Sequence, residues 1–264
     1  MSEYSDAKAR IFLNQSGDDF VVLNADDPEI KKVENVKLKV KSEMPKIFCF
    51  SRQREVNGVY FKNGIIYSNF NSSLLTLNAQ LIRSDEIKIK GVHNLENAMA
   101  ASAMALLAKC PVESVVETLM EFPGLEHRLE FVREIIGVEY INDSKGTNVG
   151  AVVKSLESFS RPLILIAGGR DKEGDFSALR PYVKGRVKAL VLIGEAREKI
   201  SKALGDLTET RFSESLEEAV AISRQIAAKG DVILLSPACA SFDMFRDFED
   251  RGAQFKKIVR SLNG

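Results

Sequence analysis

Residues 231–252, DVILLSPACASFDMFRDFEDRG, predict how this chain is built. They begin with the apolar run Val232–Leu235, which is typical of a strand buried on both faces of a parallel sheet. The small residues that follow, SPACAS at 236–241, predict a turn. Phenylalanine then recurs at helical spacing from Phe242 onward. We therefore expect a strand, a turn and a helix that begins near Phe242.

This order of elements predicts a place where an anion could bind. A helix N-terminus offers unpaired backbone N–H groups and the positive end of the helix dipole, here expected beside the end of a buried strand. We interpret Asp243 as a helix N-terminal charge and Arg251 as a surface cation, and leave both outside the site. The helical periodicity assigns to the core Phe242, Phe245, Phe255, Ile258 and Leu262.

The composition favours a globular cytoplasmic protein. The chain has 264 residues, of which 45% are hydrophobic, enough for one large domain or two ordinary ones. Basic and acidic residues balance at 37 each, so no excess charge indicates a nucleic acid or membrane partner. Cys49, Cys110 and Cys239 lack metal-ligand spacing and are interpreted as reduced thiols. No stretch reads as a membrane span or signal peptide.

The second half of the chain alternates predicted strands and helices. This alternation is typical of a doubly wound, Rossmann-like α/β domain with a mostly parallel sheet. The break at Pro123-Gly124 predicts a first domain over residues 1–122 and a second over residues 123–264. The strands predicted in the second half are 138–141, 163–167, 189–193 and 232–235, separated by helices at 148–159, 176–183, 196–204 and 216–227.

The first half predicts a β-hairpin followed by two helices. The hairpin strands are 58–61 and 65–67, and the intervening Asn63-Gly64 favours the positive φ angles of a tight turn. The helices are predicted over 91–109 and 111–122. Further predicted elements are a helix over 2–15 and strands at 20–23, 36–41, 47–50 and 87–90.

Polar clusters follow three of the strands predicted in the second half. They are NDSKGTN at 142–148, GGRDKEGDF at 168–176 and the SPACAS turn, whereas Gly194-Glu195 at the fourth strand end carries nothing distinctive. Ligands of open parallel sheets bind at the carboxyl ends of strands. We therefore expect one crevice suited to a multiply charged anion. The groups expected to meet there are the ammonium groups of Lys145 and Lys172 and the hydroxyls of Ser144, Thr147 and Ser241.

Each cluster also has an ordinary structural interpretation. NDS is a common turn with a helix N-cap, and GGRDK is compatible with a solvated loop. Short motifs often match by chance, and here the shared position at strand ends favours a site. Residue patterns alone thus lead to an anion-binding α/β domain joined to a second domain, and leave the ligand open.

Six motifs follow one another along the whole chain. They are YSDAKARI from Tyr4, GVHNLENA from Gly91, GLEHR from Gly124, NDSKGTN from Asn142, GGRDKEGDF from Gly168 and SPACASFDMFRDFEDRG over residues 236–252. Together they resemble the Mur ligases, and most closely the members that add D-glutamate. The last motif is the most discriminating, and the Asp-Asn-Pro-Arg motif of members that add diaminopimelate or lysine is absent from the sequence.

The resemblance implies a fold and an activity. It implies that the first half of the chain is the second half of a central ATPase domain. Such ligases use ATP and Mg²⁺ to phosphorylate the carboxylate of UDP-N-acetylmuramoyl-L-alanine. The amine of D-glutamate then attacks the acyl phosphate, and the amide, ADP and phosphate leave. The site must neutralise phosphate charge, hold a dicarboxylate and exclude water. This reaction belongs to peptidoglycan synthesis.

The resemblance also implies roles for individual residues. Lys8 matches a lysine that the family carbamylates, which would make it a catalytic residue and an anionic ligand for Mg²⁺. Asn97 matches the asparagine at the adenine, Arg128 the arginine at the nucleotide and Asp143 the aspartate near the ribose. The D-glutamate pocket is matched by Lys145 (also catalytic), Thr147, Lys172, Ser241 and the backbone of Phe248.

Some of these residues have equally ordinary alternatives. Lys8 alone reads as a helix-surface lysine, and Asn97 as a helix residue packed under a loop. Arg128 alone is compatible with a surface ion pair. Some relatives carry an acidic residue where this chain has Arg170, so the contacts of that loop are open.

The sequence departs from the family most at its start. A phosphate loop of the G-x-x-G-K-[ST] kind is expected in the central domain, and no Gly-Lys-Ser/Thr occurs in these residues. A uridine-nucleotide domain and the histidine and acidic metal ligands expected before Lys8 are missing as well. We therefore expect a chain that cannot complete the reaction alone and whose partner is the missing N-terminal part of the enzyme.

Two other functions stay open on the sequence. One is another glutamate-adding ligase of the same superfamily, similar to folylpolyglutamate synthase. The other is a non-catalytic module that binds an amino acid or a nucleotide. A comparison of D-glutamate with L-glutamate, and of muramyl nucleotide with folate, distinguishes the two ligases.

Overall fold

The computed structural model describes residues 7, 10–28, 30 and 45–263, which divide into two compact units. The first unit lies within Met1–Lys90 and Asn94–Pro123, and the second comprises Gly91–His93 and residues from Gly124 onward. The strand predicted at 36–41 lies outside the described residues, as does most of the helix predicted over 2–15. The described end of that helix forms only a short 3₁₀ turn, Arg10–Phe12.

The first unit is built on a mixed sheet in the order β1-β2-β3-β4-β5. The pairs β1-β2 and β2-β3 are parallel, and β3-β4 and β4-β5 are antiparallel. The predicted hairpin is confirmed: Asn63 and Gly64 have φ of 50° and 82°, the left-handed pair that a tight turn requires. The strands are β1 (Phe20–Asn24), β2 (Lys46–Ser51), β3 (Gly58–Lys62), β4 (Ile65–Asn71) and β5 (Thr76–Arg83).

The strand predicted at 87–90 is wrong, and β5 takes its place in the sheet. Ile87 is buried in the core but belongs to no strand. Its burial explains why an apolar residue occurs among charged ones, which is the pattern that predicted a strand. β5 itself is an edge strand with several exposed polar residues, which conceals it in the sequence. The two predicted helices are present as α1 (Val92–Leu107) and α2 (Val112–Glu121).

The second unit contains the predicted doubly wound sheet. Its strand order is β10-β9-β8-β11-β7-β6, parallel throughout except for the antiparallel edge pair β6-β7. The strands are β6 (Glu130–Ile135), β7 (Val138–Asn142), β8 (Leu163–Gly168), β9 (Val187–Ile193), β10 (Glu209–Phe212) and β11 (Val232–Leu235). The helices are α3 (Val149–Glu157), α4 (Arg180–Val183), α5 (Arg197–Leu204), α6 (Leu216–Ile226) and α7 (Phe248–Ser261).

Helices cover both faces of this sheet because strand side chains alternate between them. Leu163 and Leu165 of β8 pack in the layer with α3, α4 and α5. Ile164 and Ile166 pack in the opposite layer with α6 and α7. β11 lies between β7 and β8, whereas α7, which follows it, lies on the opposite face from α3 and α4. Helices therefore diverge around β11, where such sheets form a crevice.

The helix after β11 begins at Phe248 and not near Phe242. The carbonyl of Ser241 accepts hydrogen bonds from the N–H groups of Met244 and Phe245, which closes one turn that does not continue. Asp247 has extended backbone, and its carboxylate caps α7 by accepting from Asp250 N at 2.7 Å. The core assignment of Phe242 is consequently wrong, since that side chain is 61% exposed.

Two strands of the second sheet have no counterpart in the prediction. β6 and β10 are the edge strands, and half of the residues in their sequences, EFVREI and ETRF, are charged. An edge strand needs no continuous apolar pattern because one side of it faces solvent. Among the described residues, no helix has the length and apolar character needed to cross a membrane.

Replacing Phe255 tests the packing of α7. This side chain is fully buried between α7 and the sheet, so Phe255→Ala should lower the free energy of unfolding by about 3–5 kcal/mol. Urea unfolding followed by NMR signals of the second unit measures the loss. Lys257→Ala, at an exposed position of the same helix, should stay within about 0.5 kcal/mol of wild type. Equal stabilities of the two variants would contradict this packing.

Candidate active site

Backbone hydrogen bonds join three loops at the carboxyl ends of the parallel strands. These are the β7 loop (residues 143–148), the β8 loop (residues 169–175) and the β11 loop (residues 236–247). Ala238 N donates to Gly146 O at 2.8 Å, which links the β11 and β7 loops. Arg170 and Ala240 exchange two backbone hydrogen bonds at 2.9 and 3.0 Å, which link the β8 and β11 loops. The structure therefore brings the three polar clusters together.

The β11 loop adopts an uncommon backbone conformation where it meets the β7 loop. Ala238 has φ of 61°, a left-handed conformation that is rare for residues with a side chain. Its hydrogen bond to Gly146 holds this conformation in place. Such outliers persist where surrounding structure fixes them, and they are common in ligand-binding loops.

Asp143 faces the interior of the second unit. Its carboxylate accepts hydrogen bonds from Ser155 Oγ and Ser236 Oγ, both at 2.6 Å, and from Leu129 N at 3.3 Å. Burial raises the pKa of this carboxyl, and the two serine hydroxyls act in the opposite direction. Asp143 thus ties the β7 loop to α3 and to the start of the β11 loop. Its contact with a ribose stays a prediction.

Lys145 is exposed and is oriented by its neighbours. Its backbone N–H donates to His127 O at 3.0 Å, and its ammonium lies 3.7 Å from the ring centroid of Phe248. A cation over an aromatic face is attracted by the electron-rich ring. Thr147, half-buried in the same loop, donates its N–H to Lys145 O. The predicted neighbours Lys145 and Phe248 are therefore in contact.

The β8 loop carries Lys172 on its exposed side. Asp171 shapes this loop by accepting Gly174 N at 2.9 Å and by pairing with Lys199 of α5. The hydrogen bond from Lys199 lowers the pKa of Asp171 and outweighs the effect of desolvation. Arg170 lies 3.4 Å from Glu195, so the residue that departs from the family pattern has a local ion pair.

The structure corrects the interpretation of Ser144 and Arg251. Ser144 is fully buried, and its hydroxyl donates to Phe248 O at 2.8 Å, so it does not face the crevice. Arg251 is fully buried as well and donates to Ser144 Oγ and Ser144 O, both at 2.9 Å. Burial lowers the pKa of Arg251 to about 10, which leaves it charged at neutral pH. Nor does Asp243 cap a helix: it accepts Glu195 N at 3.0 Å.

A buried polar network lies beneath Lys145 and Phe248. Asn142 Nδ2 lies 3.0 Å from His127 Nδ1 and donates to Glu130 Oε2 at 2.9 Å. Glu130 also pairs with Lys256 of α7 at 3.0 Å. The rings of His127 and Phe248 form a T-shaped contact, with their centroids 6.0 Å apart. Sequence patterns assign neither His127 nor Arg251 a role at the site, because the burial of both side chains depends on contacts between distant segments.

The remaining residues predicted for the nucleotide and the metal are Asn97, Arg128 and Lys8. Asn97 is exposed on α1 of the first unit, and its Nδ2 lies 3.4 Å from Asn94 Oδ1. Arg128 is exposed in the second unit. Lys8 lies outside the described residues. Within the described ranges, no group of three or more His, Cys, Asp or Glu side chains could hold a metal ion.

Both parts of the chain match known protein-family models. Residues 1–105 match the model of the Mur ligase middle domain, and residues 127–239 match the Mur ligase glutamate ligase domain. The chain belongs to the Mur ligase family. The predicted family and fold are thereby confirmed, since solved Mur ligases share this architecture.

Curated Mur ligases are similar to this chain over nearly all of its length. UDP-N-acetylmuramoylalanine–D-glutamate ligase of Citrifermentans bemidjiense is 48% identical over 260 residues, which is 98% of this chain and 55% of the relative. Others of the same name are 44–48% identical. The chain thus spans about half the length of the curated relatives that it matches.

Solved structures share the fold at low sequence identity. A pseudomurein peptide ligase of type C from Methanothermus fervidus superposes with a TM-score of 0.70 at 15% identity, covering 99% of this chain and 60% of that one. Folylpolyglutamate synthase of Mycobacterium tuberculosis gives 0.67 at 13% identity, with coverage of 99% and 60%. At these identities the likeness concerns the fold alone.

Gly252 provides a test of the packing under the crevice. A Cβ at this position would lie 2.1 Å from His127 Nδ1 and 3.1 Å from Asn142 Nδ2. Gly252→Ala should therefore destabilise the second unit by about 1–3 kcal/mol through overpacking. Gly150→Ala is the matched control, because its Cβ meets only Asn148 Oδ1 at 3.5 Å and should be neutral or stabilising by up to about 1 kcal/mol. Equal urea unfolding midpoints for Gly252→Ala and Gly150→Ala would contradict this packing.

The network around Glu130 should make the second unit sensitive to acid. Burial raises the pKa of Glu130, but hydrogen bonds from His127 N, Lys256 and Asn142 outweigh it, so the net pKa lies below the ordinary 4.5. A carboxyl with a lowered folded-state pKa stabilises the fold above its unfolded-state pKa, and this contribution disappears as pH falls through the folded-state pKa. The destabilisation caused by Glu130→Gln should therefore be full at neutral pH and shrink as the pH falls below 4.5.

Urea midpoints across this pH range measure the effect of Glu130→Gln. Glu217→Gln, at an exposed position of α6, serves as the control for general charge effects. A constant difference between Glu130→Gln and wild type at every pH would show that the carboxylate charge contributes nothing.

Proposed function

We propose that this chain is part of a ligase that adds D-glutamate to UDP-N-acetylmuramoyl-L-alanine in peptidoglycan synthesis. The observation that carries the proposal is the 48% identity, over 98% of this chain, to a ligase named for that amino acid. The match of residues 127–239 to a glutamate ligase domain agrees with it. A cytoplasmic location is part of the proposal, and the free thiols of Cys110 and Cys239 are compatible with it.

The convergence of the three loops supports a dicarboxylate pocket in the second unit. We assign the neutralisation of the two carboxylates of D-glutamate to Lys145 and Lys172, which are both exposed at strand-end loops. Thr147, the Ser241 hydroxyl and the Phe248 N–H would fix the orientation of the amino acid. Correct orientation matters because the amine must be held within reach of the acyl phosphate.

ATP with Mg²⁺ would supply the phosphoryl group that activates the carboxylate. Asn97 and Arg128 are the exposed residues proposed to hold the nucleotide. Asp143 is the third residue proposed for the nucleotide, and its buried carboxylate already accepts hydrogen bonds from Ser155 and Ser236. Lys8, in carbamylated form, is the Mg²⁺ ligand proposed from the family.

Two alternative functions are less well supported. The fold likeness to folylpolyglutamate synthase, at 13% identity, does not favour a folate substrate. A non-catalytic module would bind its ligand without catalysing a reaction. The activity measurement described below distinguishes it from a ligase.

Binding of D-glutamate to this chain is the first test. NMR titration should show shifts at the β7, β8 and β11 loops. Lys172→Met and Ser241→Ala should each weaken binding about tenfold, as expected when a charged or hydrogen-bonding partner is lost. Lys184→Met removes an exposed lysine elsewhere in the second unit and should leave the affinity unchanged. L-glutamate should bind more weakly than D-glutamate.

Activity is the second test. A chimera joins the part of the Citrifermentans bemidjiense relative that this chain does not match to residues 1–264. It should release phosphate only when ATP, Mg²⁺, UDP-N-acetylmuramoyl-L-alanine and D-glutamate are all present. The isolated chain is expected to release none. A folded chimera that ignores D-glutamate, or prefers L-glutamate with a folate, would refute the proposed substrates.

A further inference from the structure

Arg251 is a fully buried cation whose hydrogen-bond acceptors are a hydroxyl and backbone carbonyls. Its Nε donates to Ser144 Oγ and its Nη2 to Ser144 O, both at 2.9 Å. Nη1 and Nη2 also lie 3.4 Å from Cys239 O. No carboxylate forms a salt bridge with it among the described residues. One guanidinium group thus joins the β7 loop to the β11 loop.

The same guanidinium is linked to the start of α7. Ser144 Oγ, which accepts from Arg251, donates to the carbonyl of Phe248 at 2.8 Å. Arg251 therefore connects three backbone segments through a single group. Each segment carries a residue of the proposed D-glutamate pocket at or next to its contact. Lys145 follows Ser144 in the sequence, and Ser241 follows Ala240, whose carbonyl lies 3.5 Å from Arg251 Nη1. Phe248 itself accepts the hydrogen bond from the Ser144 hydroxyl.

Stability alone gives a poor reason for this arrangement. Burial of a charge without a carboxylate is unfavourable, and well-packed apolar residues often replace buried charges without loss. Arginine differs from every other side chain in presenting five N–H donors in a rigid planar fork. That fork can hold the two loops at a fixed separation, which neither methionine nor the single ammonium of lysine can do.

We propose that Arg251 is a positioning residue that fixes the spacing of Lys145, Ser241 and Phe248 without contacting the bound amino acid. This inference rests on the proposed function, in which these three residues form the D-glutamate pocket. Arg251 acts through the Ser144 hydroxyl and the carbonyls of the β11 loop. Loss of its fork should loosen the pocket while the sheet beneath it stays intact.

Affinity for D-glutamate in the folded state is the main readout. Arg251→Met should weaken binding about tenfold or more, as expected when the polar groups of a site lose their fixed positions. Arg251→Lys should show an intermediate loss, because one ammonium can satisfy only part of the acceptor set. Binding of Arg251→Met within about twofold of wild type, at a temperature where it is folded, would overturn the proposal.

Two controls separate positioning from general destabilisation. Val259→Ala removes a buried core side chain of the same helix and should lower the melting temperature without changing the affinity. Arg260→Met removes an exposed arginine of α7 and should change neither. If Val259→Ala weakened D-glutamate binding as much as Arg251→Met at comparable stability, the effect would be structural and the proposal would fail.

Amide hydrogen exchange tests the positioning without any ligand. The N–H groups of Ala238 and Ala240 donate across the loops to Gly146 and Arg170. In Arg251→Lys, and in Arg251→Met if it folds, both amides should exchange about tenfold faster. The buried amide of Ile233 in β11 should be unaffected.

D-glutamate affinity and amide hydrogen exchange test different parts of the proposal. If wild type did not bind D-glutamate, the proposed pocket would be refuted, whereas accelerated exchange would still support Arg251 as the link between loops. Unchanged exchange at Ala238 and Ala240 would refute that link whatever the ligand does.

Discussion

The insertion of β11 between β7 and β8 is the constraint on which the site depends. Leu235, the last residue of β11, pairs with Asn142 on one side and with Ile166 on the other. The three neighbouring strands therefore end near the same edge of the sheet. The loops that follow them are close enough to exchange backbone hydrogen bonds. Because α7 lies on the opposite face from α3 and α4, the helices that follow these strands diverge around β11, which is where sheets of this kind form a crevice.

The buried and exposed polar residues of the second unit have different tasks. Asp143 and Arg251 form their hydrogen bonds with the β7 and β11 loops and, for Asp143, with α3, so they hold these segments in place. Lys145 and Lys172 lie at the surface of the same loops, where solvent stabilises their charge and a ligand can reach them. A rigid supporting layer of this kind lets a site on loops keep the geometry that binding requires.

The sequence predicts β8, β9 and β11 because each contains a short, continuous apolar run. It does not predict the edge strands β6 and β10, whose charged residues carry no such signal. Phe242 and Phe245 match a helix by spacing, yet the turn closed by Ser241 and the cap at Asp247 place the helix start at Phe248. The motifs identify the candidate residues, but local sequence cannot tell that Arg251 is buried.

The contact between Lys145 and Phe248 has an electrostatic consequence. Lys199 and Lys256 are matched internally by the carboxylates of Asp171 and Glu130. The ammonium of Lys145 instead lies on an aromatic face, which attracts a cation without cancelling its charge. Among the described residues no carboxylate forms an ion pair with Lys145, so a carboxylate bound as proposed would replace no protein anion at this position. The positive charge of Lys145 would then be available to that carboxylate without a competing ion pair.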